Sequence, residues 1–310
     1  MSQLLARFRQ NRKQLGSQAD VVILASSETR AQEVYNALWK QMDLFEARFS
    51  RFNETSELTR LNKCAGKPVK VSEEFRKMML CCKKYNRITS GVFNPLILPL
   101  LQTAGYKGSW PQVSHYNVSL DYSNRLMKSF DEVAIETDTV CLPEESALDL
   151  GGIGKGYALD VASRLLEDMG IINYCVSFGG DIVCSGSDKD NTNWKIGIAY
   201  VHDHDRPIAF FINPDHKKYA IASSTVVRRK GTGWNHLIDP STGKPTQSPV
   251  KMSSAITRKG VSADIYAKFF LLQPNGKLNS TSYSDEVLSV LFQYEDSSSI
   301  SQQKNYISLL

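Results

Sequence analysis

Hydrophobic positions in the first half of the chain recur at spacings that predict one strand followed by helices. Residues 17–26 form an apolar, β-branched run that opens with Gly-Ser, which predicts a strand. In residues 29–47 the apolar side chains, from Val34 to Phe45, fall near the spacing of one helix face and predict a long amphipathic helix. The same spacing predicts helices over residues 73–89, 156–169 and 262–272.

Short apolar runs separated by turn residues predict that most remaining elements are strands. Gly179-Gly180-Asp181 is typical of a tight turn between two of them. Strands joined by tight turns favour an α+β fold with antiparallel sheet over a doubly wound parallel sheet. No internal repeat or linker divides the chain, so we expect a single interlocked unit. The predicted strands cover residues 133–136, 139–142, 173–178, 182–184, 194–201, 208–213 and 219–227, with strand-like pieces in 107–124 and a strand or helix over 287–294.

Composition and charge exclude several classes of protein. Of the 310 residues 42% are hydrophobic and 22% charged, which suffices for a sizeable core and excludes a disordered chain. The 37 basic and 32 acidic residues leave a formal charge of +5, too small and too dispersed for a nucleic-acid partner. No apolar stretch approaches the roughly 18 residues that span a bilayer, so we expect no membrane span.

The two ends of the chain and its cysteines bear on location. Residues 1–14 are basic without a long apolar stretch, so we expect a frayed basic helix as an N-terminal extension rather than a secretory signal; an organellar transit segment is the alternative. Residues 297–310 are polar, and we expect them to form a mobile tail. The six cysteines include no Cys-x-x-Cys pair, which is typical of free thiols in a reducing compartment, so we expect a cytoplasmic protein.

The most informative stretch is rich in glycine. Four of the six residues 151–156 are glycines, which lets the backbone approach a ligand closely and direct N–H groups at it. The helix that follows would add its positive N-terminal end and Lys155 a point charge, so this turn is a candidate phosphate site. The P-loop and dinucleotide patterns do not match, because Tyr157 and Ala158 follow the last glycine. A flexible turn with a solvated lysine is the alternative interpretation.

A second candidate is the segment 236–245, which reads His-Leu-Ile-Asp-Pro-Ser-Thr-Gly-Lys-Pro. Asp-Pro-Ser-Thr-Gly is typical of a turn, and a purely structural turn is one interpretation. The other is that His236 acts as a general base, since imidazole titrates near neutral pH. The remaining four histidines occur in polar, loop-like contexts, and we expect them at the surface.

A third candidate lies on the helix predicted over residues 262–272. Ser262 suits an N-cap, which would put Asp264 in the first turn, where a carboxylate favours the helix dipole. Asp264 and Lys268 are four residues apart and share one helix face, so both side chains can reach the same metal ion or phosphate. The residues alone leave the dipole role and the ligand role open.

Together with residues 50–62, which alone predict only a capped turn and a short helix, these segments resemble the ApbE-like family of FAD:protein FMN transferases. The family pattern Ser-x-aromatic with Ser-Glu-Leu-x-x-Leu-Asn matches residues 50–62. Its Asp-Leu-Gly-Gly-Ile-Ala-Lys-Gly-Tyr-Ala-x-Asp matches residues 149–160, with Gly154 in place of alanine. Its His-x-Ile-Asp-Pro-x-Thr-Gly-x-Pro matches residues 236–245 in full.

Weaker matches complete the resemblance. Residues 15–17, Leu-Gly-Ser, are similar to the family's Met-Gly-Thr, and residues 91–95 match Gly-x-Phe-Asp-Pro except at Asn94. The family's Gly-Gly-Asp turn is present at residues 179–181. The resemblance implies a T-fold-related α+β unit of antiparallel sheets packed with helices, which we expect over residues 15–296.

The resemblance also implies a reaction and its participants. FAD is split at its pyrophosphate, the FMN half becomes esterified to a threonine hydroxyl of an acceptor protein, and AMP leaves. FAD and the acceptor protein are therefore the expected partners, and the sequence does not name the acceptor. This is phosphoryl transfer, in which Mg²⁺ is expected to bridge phosphate oxygens and stabilise developing charge.

By position, the resemblance implies three sets of residues. His236 is the group expected to accept the threonine proton, with Asp264 as the second candidate. The metal is expected on the main-chain carbonyl of Gly152, the carboxylate of Asp264 and the side chain at position 268, which here is Lys268. FAD is expected to contact Leu15, Phe52, Val92, Phe93, Asn94, Asp149, Lys155 and Ile238.

Three positions depart from the family pattern. Asn94 replaces an aspartate and removes a negative charge from the flavin side, and Leu96 replaces the usual threonine. Lys268 stands where the family has a threonine that helps to bind the metal. Its ammonium would repel a dication, pair with Asp264 or itself neutralise the pyrophosphate. We therefore predict a reduced Mg²⁺ requirement.

Two other functions are compatible with the same residues. One is a metal-dependent FAD pyrophosphatase, in which water takes the place of threonine. The other is a flavin-binding protein without catalysis, suggested by Lys268 and Asn94. Release of AMP from FAD separates the enzymes from the binding protein, and covalent flavin on an acceptor separates the transferase from the pyrophosphatase.

Overall fold

The structure of the protein is a computed structural model that describes residues 5–103, 127–227, 230–231, 234–235, 237–240, 242–276, 286–296, 299–302 and 307–309. The described α-helices are α1 (Glu28–Phe49), α2 (Glu57–Asn62), α3 (Glu73–Ile88), α4 (Leu98–Thr103), α5 (Gly154–Asp168) and α6 (Gly260–Leu272). Single 3-10 turns cover Pro95–Ile97, Phe130–Glu132 and Lys189–Asn191.

The strands fall into two halves of the chain. The first seven are β1 (Ala6–Gln14), β2 (Ser17–Ala25), β3 (Val69–Lys70), β4 (Ala134–Ile135), β5 (Thr139–Cys141), β6 (Tyr174–Phe178) and β7 (Asp181–Ser185). They are followed by β8 (Lys195–Tyr200), β9 (Asp203–Ile212), β10 (Tyr219–Thr225), β11 (Lys230–Gly231), β12 (Trp234–Asn235), β13 (Ile238–Asp239), β14 (Lys244–Pro245), β15 (Val250–Thr257), β16 (Ser289–Tyr294), β17 (Ser299–Gln302) and β18 (Ile307–Leu309).

The largest sheet in the described part of the chain is antiparallel throughout. Its eight strands lie in the order β1-β2-β6-β7-β10-β15-β16-β17, and each neighbouring pair is antiparallel. Strands from near both ends of the chain form its two edges. Smaller sheets have the orders β18-β9-β8 and β3-β5-β4, and β11–β12 and β13–β14 are short hairpins. The predicted α+β class with antiparallel sheet is confirmed.

The large sheet is covered on both faces. Helices α1, α5 and α6 pack on one face, where Val21 and Ile23 of β2 point into the main core. Val22 points to the other face, where it joins a second cluster with Trp194 and Phe211 at the sheet β18-β9-β8. Burial on both faces explains why β2 is a continuous apolar run without hydrophobic–polar alternation.

Serine caps define where the predicted helices begin. Ser27, Ser56 and Ser72 each accept a hydrogen bond from the N–H three residues on, at 3.0–3.2 Å, ahead of α1, α2 and α3. Each cap satisfies one N–H that would otherwise lack a partner at a helix start. The predicted helices over 29–47 and 73–89 are thus confirmed as α1 and α3, and the capped turn predicted in 50–62 as α2.

The prediction of a frayed helix in residues 1–14 is wrong. Residues 6–14 are β1, which pairs with β2 from Ala6 opposite Ala25 to Gln14 opposite Ser17. Arginine and lysine favour helices locally, but pairing with β2 overrides that preference. The basic side chains remain useful, because charged residues on an edge strand discourage pairing with another molecule.

The prediction of a mobile C-terminal tail is also wrong, because strands form in this segment. Within the segment 297–310, expected as a mobile tail, β17 extends the large sheet beside β16 and β18 pairs with β9. Strand β15 was not predicted, because Ser253 and Ser254 interrupt its apolar pattern. Both serines are nevertheless buried in the structure. The strand-like pieces predicted in 107–124 lie outside the described residues.

Helices α5 and α6 cross in direct backbone contact and cap each other. Neither has a side-chain cap of its own at its N-terminus. Asp160 of α5 accepts the N–H groups of Gly260 at 2.6 Å and Val261 at 3.0 Å, and Asp264 of α6 accepts the N–H of Gly156 at 3.0 Å. The predicted Ser262 cap is therefore wrong, since α6 begins two residues earlier and is capped from α5.

The six cysteines are free; Cys82 and Cys184 are buried and the other four are half-buried. Burial raises the pKa of Cys81 and of Cys175 to about 12, so both remain neutral thiols near neutral pH. Among the helices in the described ranges, none combines the length and the apolar composition that crossing a membrane requires.

We expect Gly156→Ala to destabilise the protein by about 2 kcal/mol, since overpacked contacts cost 1–3 kcal/mol. A Cβ at this position would lie 2.6 Å from Asp264 Cβ and 2.8 Å from the Gly260 carbonyl carbon. The Gly260 carbonyl belongs to the backbone of α6 and cannot move aside as a flexible side chain would. The matched control is Gly154→Ala on the same helix, where a Cβ meets nothing within 4 Å. Urea unfolding measures both, and equal stability of the two variants would contradict the close crossing.

Candidate active site

Two tight hairpin turns lie side by side at one end of the large sheet. The β1–β2 turn at residues 15–16 and the β6–β7 turn at residues 179–180 have positive φ at both central positions, which suits the twist of paired strands. Gly179 N–H donates to the Gln18 carbonyl at 2.9 Å. A Cβ at Gly179 would lie 2.9 Å from Ser17 Oγ, so a side chain does not fit there.

Leu15, predicted to contact FAD, has an unusual backbone conformation in the first of these turns. Its φ is 52°, a left-handed value that costs a side chain with a Cβ about 1–2 kcal/mol. The Leu15 N–H donates to Glu46 Oε2 of α1 at 3.0 Å, which holds the turn in place. Strain of this kind is concentrated at ligand sites.

Two lysines and two aspartates form a charge cluster beside the turns. Lys155, the second residue of α5, pairs with Asp181, which directly follows the 179–180 turn. Lys155 Nζ also lies 4.0 Å from Asp264 Oδ1, and Lys268 Nζ pairs with that same oxygen. The aspartates are 2% and 1% exposed, whereas the lysine side chains keep 24% and 19%. The lysine side chains are therefore the more accessible members of the cluster, and the carboxylates are its buried members.

Backbone groups complete the hydrogen bonding of this cluster. Asp181 Oδ1 accepts the N–H of Ser223 in β10 at 3.2 Å, and Asp264 Oδ2 accepts the N–H of Gly156 at 3.0 Å. Lys268 Nζ also donates to the main-chain carbonyl of Asp264 at 3.1 Å. Asp181 is thus held by Lys155 and one backbone N–H, and Asp264 by Lys268, the more distant Lys155 and one backbone N–H.

The two carboxylates have opposite pKa shifts. Burial acts to raise the pKa of Asp264, but the charges of Lys155 and Lys268 and the Gly156 N–H outweigh it, so the pKa of Asp264 is lowered. Burial raises the pKa of Asp181 more than the charge of Lys155 lowers it, and the negative charge of Asp264 adds to the rise. Asp264 is therefore the firmly ionised member and a weak base.

The glycine-rich turn connects this cluster to an aromatic side chain. A Cβ at Gly152 would lie 3.5 Å from Phe93 Cε2 and 4.0 Å from Lys268 Cδ. Phe93 is half-buried, and the N–H of Val92 beside it donates to the Thr89 carbonyl at the end of α3. Phe93, Gly152 and Lys268 thus lie close together in the structure.

A buried ion pair supports the other side of the glycine-rich turn. Arg51 Nε lies 2.6 Å from Asp149 Oδ2, and both side chains are 10% exposed. Asp149 Oδ1 accepts the N–H of Gly151 at 2.7 Å, so this carboxylate shapes the turn. The Arg51 guanidinium lies 4.2 Å from the ring centre of Phe52, which is 51% exposed. Phe52 therefore presents an open aromatic face next to the turn.

Both polar atoms of the Asn94 side chain form hydrogen bonds within the protein. Its Nδ2 donates to the Lys128 carbonyl at 2.9 Å, and its Oδ1 accepts the N–H of Leu96 at 3.0 Å. An aspartate in this place would lack the amide donor. The next residue, Pro95, accepts the N–H of Asp149 at 2.8 Å, so this loop is fixed to the start of the glycine-rich segment.

The histidine-bearing segment is described only in part. His236 lies outside the described residues. Ile238 is 2% exposed and packs with Leu100 and Leu101 of α4, the helix that follows the loop of Asn94 and Pro95. Its side chain thus packs this segment against the helix that follows the loop of Asn94 and Pro95.

Three important residues were not predicted as site residues. Each of them contacts a partner that is distant in the sequence. Asp181 pairs with Lys155, Arg51 pairs with Asp149, and Asp160 accepts N–H groups at the N-terminus of α6. The Gly-Gly-Asp turn was the available signal for Asp181. Arg51 had no such signal, because a lone arginine beside Phe52 is typical of any surface turn.

The donors around Asp264 do not fit the Mg²⁺ expected from the resemblance. Mg²⁺ requires oxygen ligands in near-octahedral geometry. Oδ1 of Asp264 is paired with the Lys268 ammonium, which offers no lone pair, and Oδ2 accepts from Gly156. No group of three or more His, Cys, Asp or Glu side chains in the described ranges is arranged to hold a metal ion.

The chain is thus an antiparallel α+β protein with a glycine-rich turn and two lysines at one end of its large sheet. The family model described as the ApbE family matches residues 15–292, most of the chain. The chain belongs to the ApbE family.

Curated relatives of the chain carry one common name. The FAD:protein FMN transferase of Vibrio cholerae is 28% identical over 249 residues, which covers 78% of this chain and 72% of that protein. The FAD:protein FMN transferase of Escherichia coli is 24% identical over 253 residues, covering 76% and 70%.

Solved structures show the same fold. The ApbE protein of Thermotoga maritima has a TM-score of 0.80 at 21% identity and covers 95% of this chain and 96% of its own. The flavin transferase ApbE of Vibrio cholerae has a TM-score of 0.77 at 23% identity, covering 97% and 98%.

We expect Arg51→Met to lower the free energy of unfolding by about 3 kcal/mol, because it leaves the Asp149 carboxylate buried without its cation. The control is Arg87→Met, which breaks the pair with Asp131 on the surface, where the side chains are 64% and 60% exposed. That variant should lose less than about 1 kcal/mol. Urea denaturation measures both, and similar losses would show that Arg51 is not a buried supporting residue.

Proposed function

We propose that the protein is an FAD:protein FMN transferase that transfers FMN from FAD to a threonine hydroxyl of an acceptor protein. The observation that carries the proposal is the pair of lysines, Lys155 and Lys268, that rest on buried aspartates beside the glycine-rich turn, where Gly152 approaches the Phe93 ring. Ammonium groups beside open aromatic faces suit a ligand that joins a pyrophosphate to a flavin. The names of the relatives give the specific reaction.

The proposed reaction is a single phosphoryl transfer. The threonine oxygen bonds to the phosphorus of the FMN half, and the bond from that phosphorus to the bridging oxygen of the pyrophosphate breaks. AMP leaves with that oxygen and its electron pair, and the threonine proton passes to a base. FAD and threonine thus give FMN–threonine ester, AMP and one proton. Such a step depends on positioning and on neutralising charge.

Each side chain has a physical role in this proposal. Lys155 and Lys268 donate hydrogen bonds to the pyrophosphate, since they are the more accessible members of the cluster and rest on buried carboxylates. Phe52 and Phe93 offer aromatic surface to the flavin. Leu15 contributes through its fixed turn, whereas Asp149, Asn94 and Ile238 shape the walls through the internal contacts described above.

His236 is the proposed base. Of the two candidates from the sequence, Asp264 is the weaker, because its pKa is lowered and both its oxygens have partners. An imidazole titrates near neutral pH and suits the transfer of a threonine proton.

The wider setting of the reaction is also proposed. The catalytic unit is residues 15–296, and the flanking segments 1–14 and 297–310 add β1, β17 and β18 to its sheets. The partner is an acceptor protein with a reactive threonine, and the compartment is the cytoplasm, in keeping with the free thiols. Mg²⁺ has no assigned step, because the residues around Asp264 do not fit it.

The test is to incubate the purified protein with FAD, with and without a soluble protein extract as acceptor. We expect AMP by chromatography, and flavin fluorescence on a protein band that survives denaturing electrophoresis. AMP and free FMN without covalent flavin would instead identify a pyrophosphatase. Bound FAD without AMP would identify a flavin-binding protein.

We expect His236→Ala to slow FMN transfer by about 100-fold or more, the usual contribution of a general base, with FAD affinity unchanged. The control is His202→Ala, which removes an exposed imidazole that contacts only the Tyr200 ring in the described contacts. That variant should keep the wild-type rate. Near-normal transfer by His236→Ala, measured as AMP release with acceptor present, would refute the base assignment.

A further inference from the structure

Lys268 is held in one place by its own helix and by the glycine-rich turn. It lies one helical turn after Asp264, and its ammonium contacts both Oδ1 and the main-chain carbonyl of that residue. Its aliphatic stem passes within 4.0 Å of the position that a Cβ on Gly152 would take. The ammonium is therefore fixed at Asp264, and its stem lies beside the turn whose Gly152 carbonyl was expected to bind a metal.

The charges of the cluster are balanced without a further ion. Lys155 and Lys268 carry two positive charges, and Asp181 and Asp264 carry two negative ones. A dication at Asp264 Oδ1 would have to displace the Lys268 ammonium, and the displaced cation would remain close by and repel it. With Asp264 only 1% exposed, little water is present to screen that repulsion.

We propose that Lys268 is the resident cation of this site: its ammonium takes the position at Asp264 that a divalent metal ion would need, and the enzyme transfers FMN without a metal. The ammonium forms no covalent bond in the transfer. It stabilises the charge that develops on the pyrophosphate oxygens, together with Lys155. The exclusion of the metal stands on the geometry alone, whereas the metal-free transfer rests on the proposed function.

The first experiment measures metal binding to the protein without FAD. Mn²⁺ is the probe, because free and bound Mn²⁺ are distinguished by electron paramagnetic resonance. We expect no saturable binding by the wild type. Lys268→Thr should bind one Mn²⁺ at least about tenfold more tightly than the wild type, the effect of removing one like charge beside an ion. The double variant Asp264→Asn with Lys268→Thr should lose that binding.

Two controls separate the ammonium from other effects. Lys77→Thr makes the same substitution at the same helical spacing, since Lys77 pairs with Glu73 four residues before it on the exposed face of α3 at 2.9 Å. It should bind no Mn²⁺. Lys268→Met keeps an apolar stem but has neither a charge nor an oxygen. It replaces Lys268→Thr in the experiment if circular dichroism shows that the threonine variant is unfolded. It too should gain binding relative to the wild type.

Two results would overturn the proposal. One is a wild-type protein that binds one Mn²⁺ and loses it on Asp264→Asn. The other is a folded Lys268→Thr and a folded Lys268→Met that both fail to gain binding.

The second experiment measures AMP release from FAD with a protein extract as acceptor. The wild type in EDTA should keep its rate within about twofold of that with Mg²⁺, whereas Lys268→Thr should lose at least about tenfold in EDTA and recover with Mg²⁺. A wild-type rate that EDTA abolishes and Mg²⁺ restores would refute metal-free transfer. Absence of AMP under every condition would refute the proposed function alone, and the Mn²⁺ titration would still decide whether Lys268 excludes the metal.

Discussion

The mutual capping of α5 and α6 is the constraint on which the site depends. Each helix begins without a cap of its own and takes a carboxylate from the other, Asp160 in one direction and Asp264 in the other. The two caps fit only because Gly156 and Gly260 let the backbones touch. The crossing therefore fixes the start of both helices at once, and Lys155 and Asp264 lie within one turn of it. Because both helices are packed in the core, side chains at their ends are held in fixed positions.

That crossing also explains how charged groups can be buried here at acceptable cost. Burial raises the pKa of Asp160 while the N–H groups of Gly260 and Val261 oppose the rise, which is the balance expected of a carboxylate used as a structural cap. Asp264 serves as a cap on one oxygen and as a partner of Lys268 on the other. The carboxylate of Asp264 thus stabilises the start of α5 and also holds Lys268 in the candidate site. A substitution of Asp264 would therefore change both the stability of the fold and the geometry of the site.

The sequence predicted local elements well and long-range pairings poorly, for physical reasons. Helices α1 and α3 were predictable because their apolar spacing and serine caps are local signals. Strand β1 was not, because its pairing with β2 outweighs the helix preference of its arginines and lysines, and β15 was hidden by its buried serines. In the site, the glycine-rich turn, Lys155 and the Asp264–Lys268 spacing were visible as patterns. Partners such as Asp181 and Arg51 become apparent only once the sheet brings distant segments together.

The spacing of Asp264 and Lys268 shows why a lysine can replace a metal ligand on this helix. Side chains four residues apart meet on one helix face, so a lysine reaches back to the carboxylate with no change in backbone, whereas a shorter side chain would leave a gap that an ion must fill. One ammonium carries half the charge of a divalent ion. Lys155, 4.0 Å from the same carboxylate oxygen, supplies the other half. In our proposal, these two covalently attached cations supply the positive side of the cluster next to the pyrophosphate, without a metal from solution.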